Sequence, residues 1–310
     1  MNEFSPEGIL LTSAQNKEYL SSFAELKRAL EQQAVLEARA AVCDSEHNLI
    51  LDIDGVNAYI PREEGAIGVS EGKTKDIAMI SRVNKAVSFI ITNIDTDNFG
   101  KRRLVCSRRL AQERCLFEHV RKLRLGDVID ARVTHLEPFG AFVDIGCGLP
   151  ALLPIDAISI SRIAHPRDRL SEGLDIKAVI KSIEGDRICL SQKELLGTWE
   201  ENAEMFSCDE TVSGIVRSVE EYGIFVELAP NLSGLAEFKE GVRPGQQASV
   251  FIKSLIPEKM KIKLNIVDTF DAKYTANEPK YFFNGSHMEY FCYSPPCCPK
   301  KIESFFDSDF

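Results

Sequence analysis

The chain has 310 residues, 44% hydrophobic and 27% charged, ordinary proportions for a globular protein with room for about two to three domains. Lys and Arg total 37 against 47 Asp and Glu, and the net charge of −10 argues against a protein that coats duplex nucleic acid through bulk charge, though a local basic face remains open. No run of about eighteen apolar residues occurs, and the N-terminus lacks a basic start followed by an apolar stretch, so neither a membrane span nor a secretory signal is expected. The nine cysteines are odd in number and mostly scattered, which suits reduced thiols in a cytosol better than a disulfide framework.

In chain order, SSFAELKRALEQQAVLE (21–37) predicts a helix opened by a Ser cap. LILDIDGVNAYIP (49–61) predicts a strand, a Gly turn and a second strand. RRLAQERCLFEHVRKLRLGD (108–127) predicts another helix, within a stretch (101–124) that carries nine basic residues, Lys101 among them, against Glu113 and Glu118. RVTHLEPFGAFVDI (132–145) then overlays IVRSVEEYGIFVEL (215–228) at a constant offset of 83 residues: Phe139 meets Tyr222, Gly140 meets Gly223, Phe142 meets Phe225 and Asp144 meets Glu227. The segments 176–183 and 187–191 alternate as half-buried strands, as do 248–255 and 259–265. A third predicted helix, 192–206, separates the two copies, and the aromatic last forty residues show no clear period. Residues 49–61 align with 141–154, so an earlier, degenerate copy precedes these two. About five short strands per copy fit small closed barrels of the OB type. The predicted fold is mainly β, tandem five-stranded barrels joined by helical connectors. The predicted divisions are an arm with a helix (1–34), a first repeat (35–107), a basic connector (108–124), a second repeat (125–195), a connector (196–207), a third repeat (208–268) and a tail (269–310).

Strand alternation assigns the faces. Asp144 and Glu227 are expected to face water, because an unpaired buried carboxylate is costly. Val143 and Ile145 then fill one barrel, Val226 and Leu228 the other, and Phe142 and Phe225 point outward. Phe139 and Tyr222 join them if Gly140 and Gly223 reset the strand phase. The same alternation turns Arg132 and Thr134 outward, then Arg187 and Ser191 with Lys193 following, and Lys259, Lys261 and Lys263; Lys253 lies on the preceding strand. Rings beside cations on a barrel wall suit single-stranded nucleic acid, whose bases stack and whose phosphates follow the cations. The acidic run 200–240 predicts weaker RNA binding by the third copy than by the second, and a protein contact for the third copy instead.

The run from Gly126 through Phe139-Gly140-Ala141-Phe142-Val143 to Leu190-Ser191-Gln192-Lys193 resembles an S1 domain, the OB-type RNA-binding repeat of the bacterial small-subunit ribosomal S1 family, and 213–237 is similarly close. Ser161 to Pro166 resembles a further hallmark of that family, and the three copies together cover about 35–268. The resemblance implies an RNA face built on Phe139 and Phe142, and on Tyr222 and Phe225, with a basic residue at Arg187. It also implies a role holding messenger RNA near the small ribosomal subunit; independently of the resemblance, His165 either touches RNA or packs its loop. A His that the family places on the third strand is replaced by Pro154 and Glu237, and a Trp by Ile160, which removes two base contacts. The first copy lacks both aromatics and reads as a docking or scaffold domain. An RNA-regulatory or decay-associated adaptor, and a protein scaffold without RNA binding, are the competing readings. No phosphate loop, nucleophile elbow or His-Glu-x-x-His pattern occurs, and His287, Cys292, Cys297 and Cys298 lack chelating spacing, so no enzyme, cofactor or metal is expected.

Overall fold

The structure, a computed structural model, describes residues 3–96, 102–185, 187–271 and 278–306; Lys101 of the basic stretch lies outside them. The chain divides into two compact units. One holds residues 1–123 with 130–132 and 144–150; the other holds 124–129, 133–143 and 151–310.

The first unit opens with α1 (Ala14–Leu20) and α2 (Phe23–Gln32). Ser13 and Ser22 cap them, each side-chain oxygen accepting a backbone N–H three residues on. The helix predicted over 21–37 stops early because Gln33 turns left-handed at φ +52°, and Leu36, Ala38 and Ala40 then alternate inward as a strand. The first barrel closes in the order β1-β2-β3-β5-β4, from β1 (Leu36–Cys43), β2 (Leu49–Ile53), β3 (Val56–Ile60), β4 (Ala86–Thr96) and β5 (Arg102–Ser107). Leu26 and Ala29 of α2 pack on its core of Leu36, Leu49, Ile60, Phe89 and Leu104. One helical turn, α3 (Ile77–Ile80), interrupts the barrel. The basic connector begins as α4 (Arg108–Glu118), capped by Ser107, whose oxygen accepts the Leu110 N–H at 2.9 Å. It then tightens to a 3-10 turn at Val120–Lys122, short of the predicted 127.

The second barrel, in the order β10-β8-β7-β6-β9, consists of β6 (Val128–Glu137), β7 (Gly140–Asp144), β8 (Pro150–Pro154), β9 (Asp175–Glu184) and β10 (Arg187–Ser191). The third, in the order β11-β12-β13-β15-β14, consists of β11 (Thr211–Glu220), β12 (Gly223–Ala229), β13 (Leu232–Ala236), β14 (Gln247–Ile256) and β15 (Lys261–Phe270). Ile129, Ala131, Val133, Val143 and Ile145 are buried as the alternation predicts, as are Val226, Ile262 and Leu264.

Between these barrels the predicted helix 192–206 splits into a 3-10 turn at Lys193–Leu196 and α5 (Trp199–Ala203). Gly197 makes the break: its φ is +86°, and a Cβ there would sit 2.8 Å from the Phe282 ring. The described part of the tail, 278–306, has a defined structure despite its lack of period. β16 (Tyr290–Cys292) and β17 (Glu303–Phe305) form a small antiparallel sheet. Met288 and Phe306 join Val179 and Leu195 in an apolar cluster, and the buried Tyr293 hydroxyl donates to the Asn231 carbonyl.

Candidate nucleic-acid interface

Gly140 and Gly223 shape the interface first. A Cβ on Gly140 would lie 2.5 Å from the Leu153 carbonyl oxygen, and one on Gly223 would lie 2.6 Å from that of Ala236. Only glycine lets the neighbouring strand come so near, and this close approach sets the rings on either side of each glycine. Phe139 and Phe142 meet edge to face, centroids 6.0 Å apart at 89°; Tyr222 and Phe225 repeat the arrangement at 6.1 Å and 85°. Phe139 is 55% exposed and Tyr222 71%, while Phe142 and Phe225 are half-buried beneath them. The outer ring of each pair thus offers a face to solvent, and the inner ring props it. Thr134 supports the inner strand, its hydroxyl donating to the Phe142 carbonyl at 3.0 Å.

The cations fall into two groups. Arg187, Lys253, Lys261 and Lys263 are exposed. Lys263 sits in register with Leu235, which itself pairs with Phe225, so the third barrel runs ring, aliphatic, lysine across three strands. Lys253 is ion-paired to Glu237 at 3.1 Å. The other group is engaged locally. Arg132 is half-buried and donates to the Glu7 carbonyl at 2.9 Å. His165 is half-buried, and its Nδ1 accepts the Arg167 N–H at 3.1 Å, capping the 3-10 turn Pro166–Asp168. Lys193 donates to the Asp156 carbonyl at 3.3 Å. The structure therefore gathers an aromatic pair on each of the last two barrels and leaves Arg132, His165 and Lys193 tied to their own neighbourhoods.

Three outward assignments are corrected. Asp144 is buried: Oδ1 accepts the N–H of Gly146 at 2.8 Å and of Gly148 at 3.0 Å, and Oδ2 accepts the Glu7 N–H at 2.6 Å. Glu227 is buried because Arg217 reaches it at 2.7 and 3.2 Å and Arg169 completes the pairing. A shift in the β11–β12 register between Val216 and Ser218 falls at Arg217. Ser191 is buried, donating to Glu194 and to the Ala157 carbonyl. The outward placement of both acids assumed no partner; each has both a nearby partner and a distant one, Glu7 for Asp144 and Arg169 for Glu227.

Sequence reasoning missed a buried ionic network in the first unit. The Glu7 carboxylate accepts Nε of Arg108 at 2.7 Å, Nη1 of Arg82 at 3.2 Å and the Ser88 N–H at 3.0 Å. Burial acts to raise its pKa, but Arg108 and Arg82 outweigh that and hold it below the ordinary carboxylate range. Burial, reinforced by the Glu7 charge, pushes Asp144 and Glu37 each up to about 7. Glu7 follows a Pro in a segment with no period, so nothing local marks it as buried. The network anchors the N-terminal arm and includes the loop that continues the Phe142 strand.

Residues 122–193 match the S1 RNA binding domain family. The chain is similar to the small ribosomal subunit protein bS1 of Staphylococcus aureus (strain COL), 28% identical over 86% of this chain and 70% of that protein. It is 31% identical to bS1 of Leuconostoc lactis over 70% of this chain, spanning about half (53%) of that relative. No helix among the described residues is long and apolar enough to cross a membrane.

Proposed function

We propose that this chain, with an S1 RNA binding domain at its centre and a bS1-like sequence over most of its length, binds single-stranded RNA and holds messenger RNA at the small ribosomal subunit in the cytoplasm. One observation carries the reading. Edge-to-face aromatic pairs recur at equivalent positions on two successive barrels, each with its outer ring open to solvent, and one lies inside the S1-matched segment.

Bases stack on Phe139 and Tyr222 while Phe142 and Phe225 hold those rings upright; each stacked base is worth about 1–3 kcal/mol and tolerates any sequence. The exposed Arg187 on the second barrel and Lys261 and Lys263 on the third attract phosphate. Linking the platforms on one chain raises the effective concentration of the second once the first is occupied. The activity is binding rather than catalysis.

Titration of a fluorescent single-stranded RNA with the full chain tests this. Salt-sensitive binding is expected, weakened at least tenfold or so in Phe139→Ala/Phe142→Ala. No binding by the wild-type protein at low salt would make the barrels a protein scaffold. Co-sedimentation with small subunits is expected as well; RNA binding without it would favour an adaptor role.

A further inference from the structure

The third barrel carries an aromatic ring that the repeat does not require. Phe238 stands two residues beyond the end of β13 and is 60% exposed. The β12–β13 ladder pairs Ile224 with Ala236. The ladder ends at that pair, so Tyr222 and Phe238 each stand two residues past it, at the same end of the barrel. The internal repeat gives the same placement. The offset of 83 residues maps Phe238 onto Ile155, whose N–H donates to the carbonyl of Phe139 at 3.0 Å, and Phe139 is the counterpart of Tyr222. The middle barrel therefore has a half-buried aliphatic side chain where the last barrel has a solvent-facing ring.

We infer that Phe238 is an RNA-contacting residue, a third stacking ring that lets the last barrel seat one more unpaired nucleotide than the middle barrel. The inference rests on the RNA reading above and deepens it. Tyr222 and Phe238 are the exposed members of the patch, and Phe225 backs Tyr222 edge-on. An exposed Phe contributes little to a core, whereas two exposed rings at one end of a barrel are surfaces on which any base can lie. The charge around the patch also bears on the chemistry. Glu237, adjacent to Phe238, is ion-paired by Lys253 at 3.1 Å, and Lys261 and Lys263 extend along β15. Glu220 and Glu221 precede Tyr222 and are exposed. Net phosphate attraction at this barrel is therefore weak, and stacking carries its share of the binding. On this proposal the acidic flank does not by itself make the third copy a poor RNA binder.

The test uses the full chain and fluorescent oligouridylate and oligoadenylate across a salt series. Phe238→Ala is made both alone and in the Phe139→Ala/Phe142→Ala background, so that the middle barrel cannot mask its effect. Loss of affinity of about five- to hundredfold is expected on both RNAs, with the slope of log affinity against log salt unchanged and restored binding in Phe238→Trp. Lys261→Gln/Lys263→Gln is expected to lower that slope instead. Unchanged affinity in Phe238→Ala, with Phe139→Ala/Phe142→Ala still weakened, would overturn the assignment of Phe238 and leave the RNA reading standing, the exposed rings then being a protein contact. Absence of binding by the wild-type chain would remove both.

Discussion

Glu37→Gln is the substitution whose effect can be worked out most fully from the structure. Glu37 is buried in the first unit, where Oε2 accepts the N–H groups of Gly8 and Leu11, each at 3.0 Å, and Oε1 accepts the Ser88 hydroxyl at 3.3 Å. Glu7 shares this pocket with Arg82 and Arg108, and Asp144 contacts Glu7 through its N–H. Burial, with the Glu7 charge second, raises the Glu37 pKa from an ordinary 4.5 to about 7. A carboxyl with a raised folded-state pKa holds its proton more tightly in the folded chain than in the unfolded one. Its contribution to stability is therefore fully present below the ordinary carboxylate range, declines as pH rises and is lost once pH passes about 7. A shift of that size corresponds to about 3 kcal/mol, and sharing among the coupled carboxyls makes about 1–3 kcal/mol the readable effect.

The amide of Gln keeps an oxygen for Gly8 and Leu11 and turns its NH₂ toward the Ser88 hydroxyl, so the hydrogen bonds survive while the charge is gone. Urea unfolding of both proteins at pH 5 and pH 8, followed by far-ultraviolet circular dichroism, reads the difference. Trp199, the only tryptophan, belongs to the other unit, so its fluorescence serves as an internal control. A gain of about 1–3 kcal/mol for Glu37→Gln at pH 8, shrinking to under about 1 kcal/mol at pH 5, is expected. A stability difference that is the same at both pH values, or a wild type that is the more stable at pH 8, would refute the reasoning.

Other perturbations have clear outcomes. Arg217→Met removes the main partner of the buried Glu227 and is expected to destabilise the second unit by about 3–5 kcal/mol, seen as a lower urea midpoint by Trp199 fluorescence. Gly140→Ala drives a methyl toward the Leu153 carbonyl 2.5 Å away. It should lower thermal stability by about 1–3 kcal/mol and weaken RNA binding by displacing Phe139, and unchanged melting and affinity would show the glycine to be incidental. Tyr293→Phe leaves the buried Asn231 carbonyl without that donor and should cost about 1–2 kcal/mol in the same fluorescence-detected unfolding.

Much of this protein was written in local patterns. The 83-residue repeat and the period-two alternation determined the mainly β barrels, and the paired rings at 139 and 142 and at 222 and 225 followed from the glycine between two aromatics. These are short-range signals, because a strand's faces and a turn's glycine depend on residues only a few positions apart. Helix lengths were less legible. At Gln33 and Gly197 a left-handed residue and an approaching partner overrode good helical composition.

Only the tertiary structure decided which charges are buried. Asp144, Glu227 and Glu7 look like solvated acids in sequence, and partners that only the folded chain brings together bury them: Glu7 for Asp144, Arg217 across the β11–β12 pairing with Arg169 for Glu227, and Arg108 for Glu7. The aperiodic tail likewise acquires its structure from the apolar surface around Val179 and Leu195. Local alternation reports how strongly a side chain avoids water, whereas burial of a charge depends on whether a counter-charge and hydrogen bonds await it, and the closing of the chain on itself supplies those.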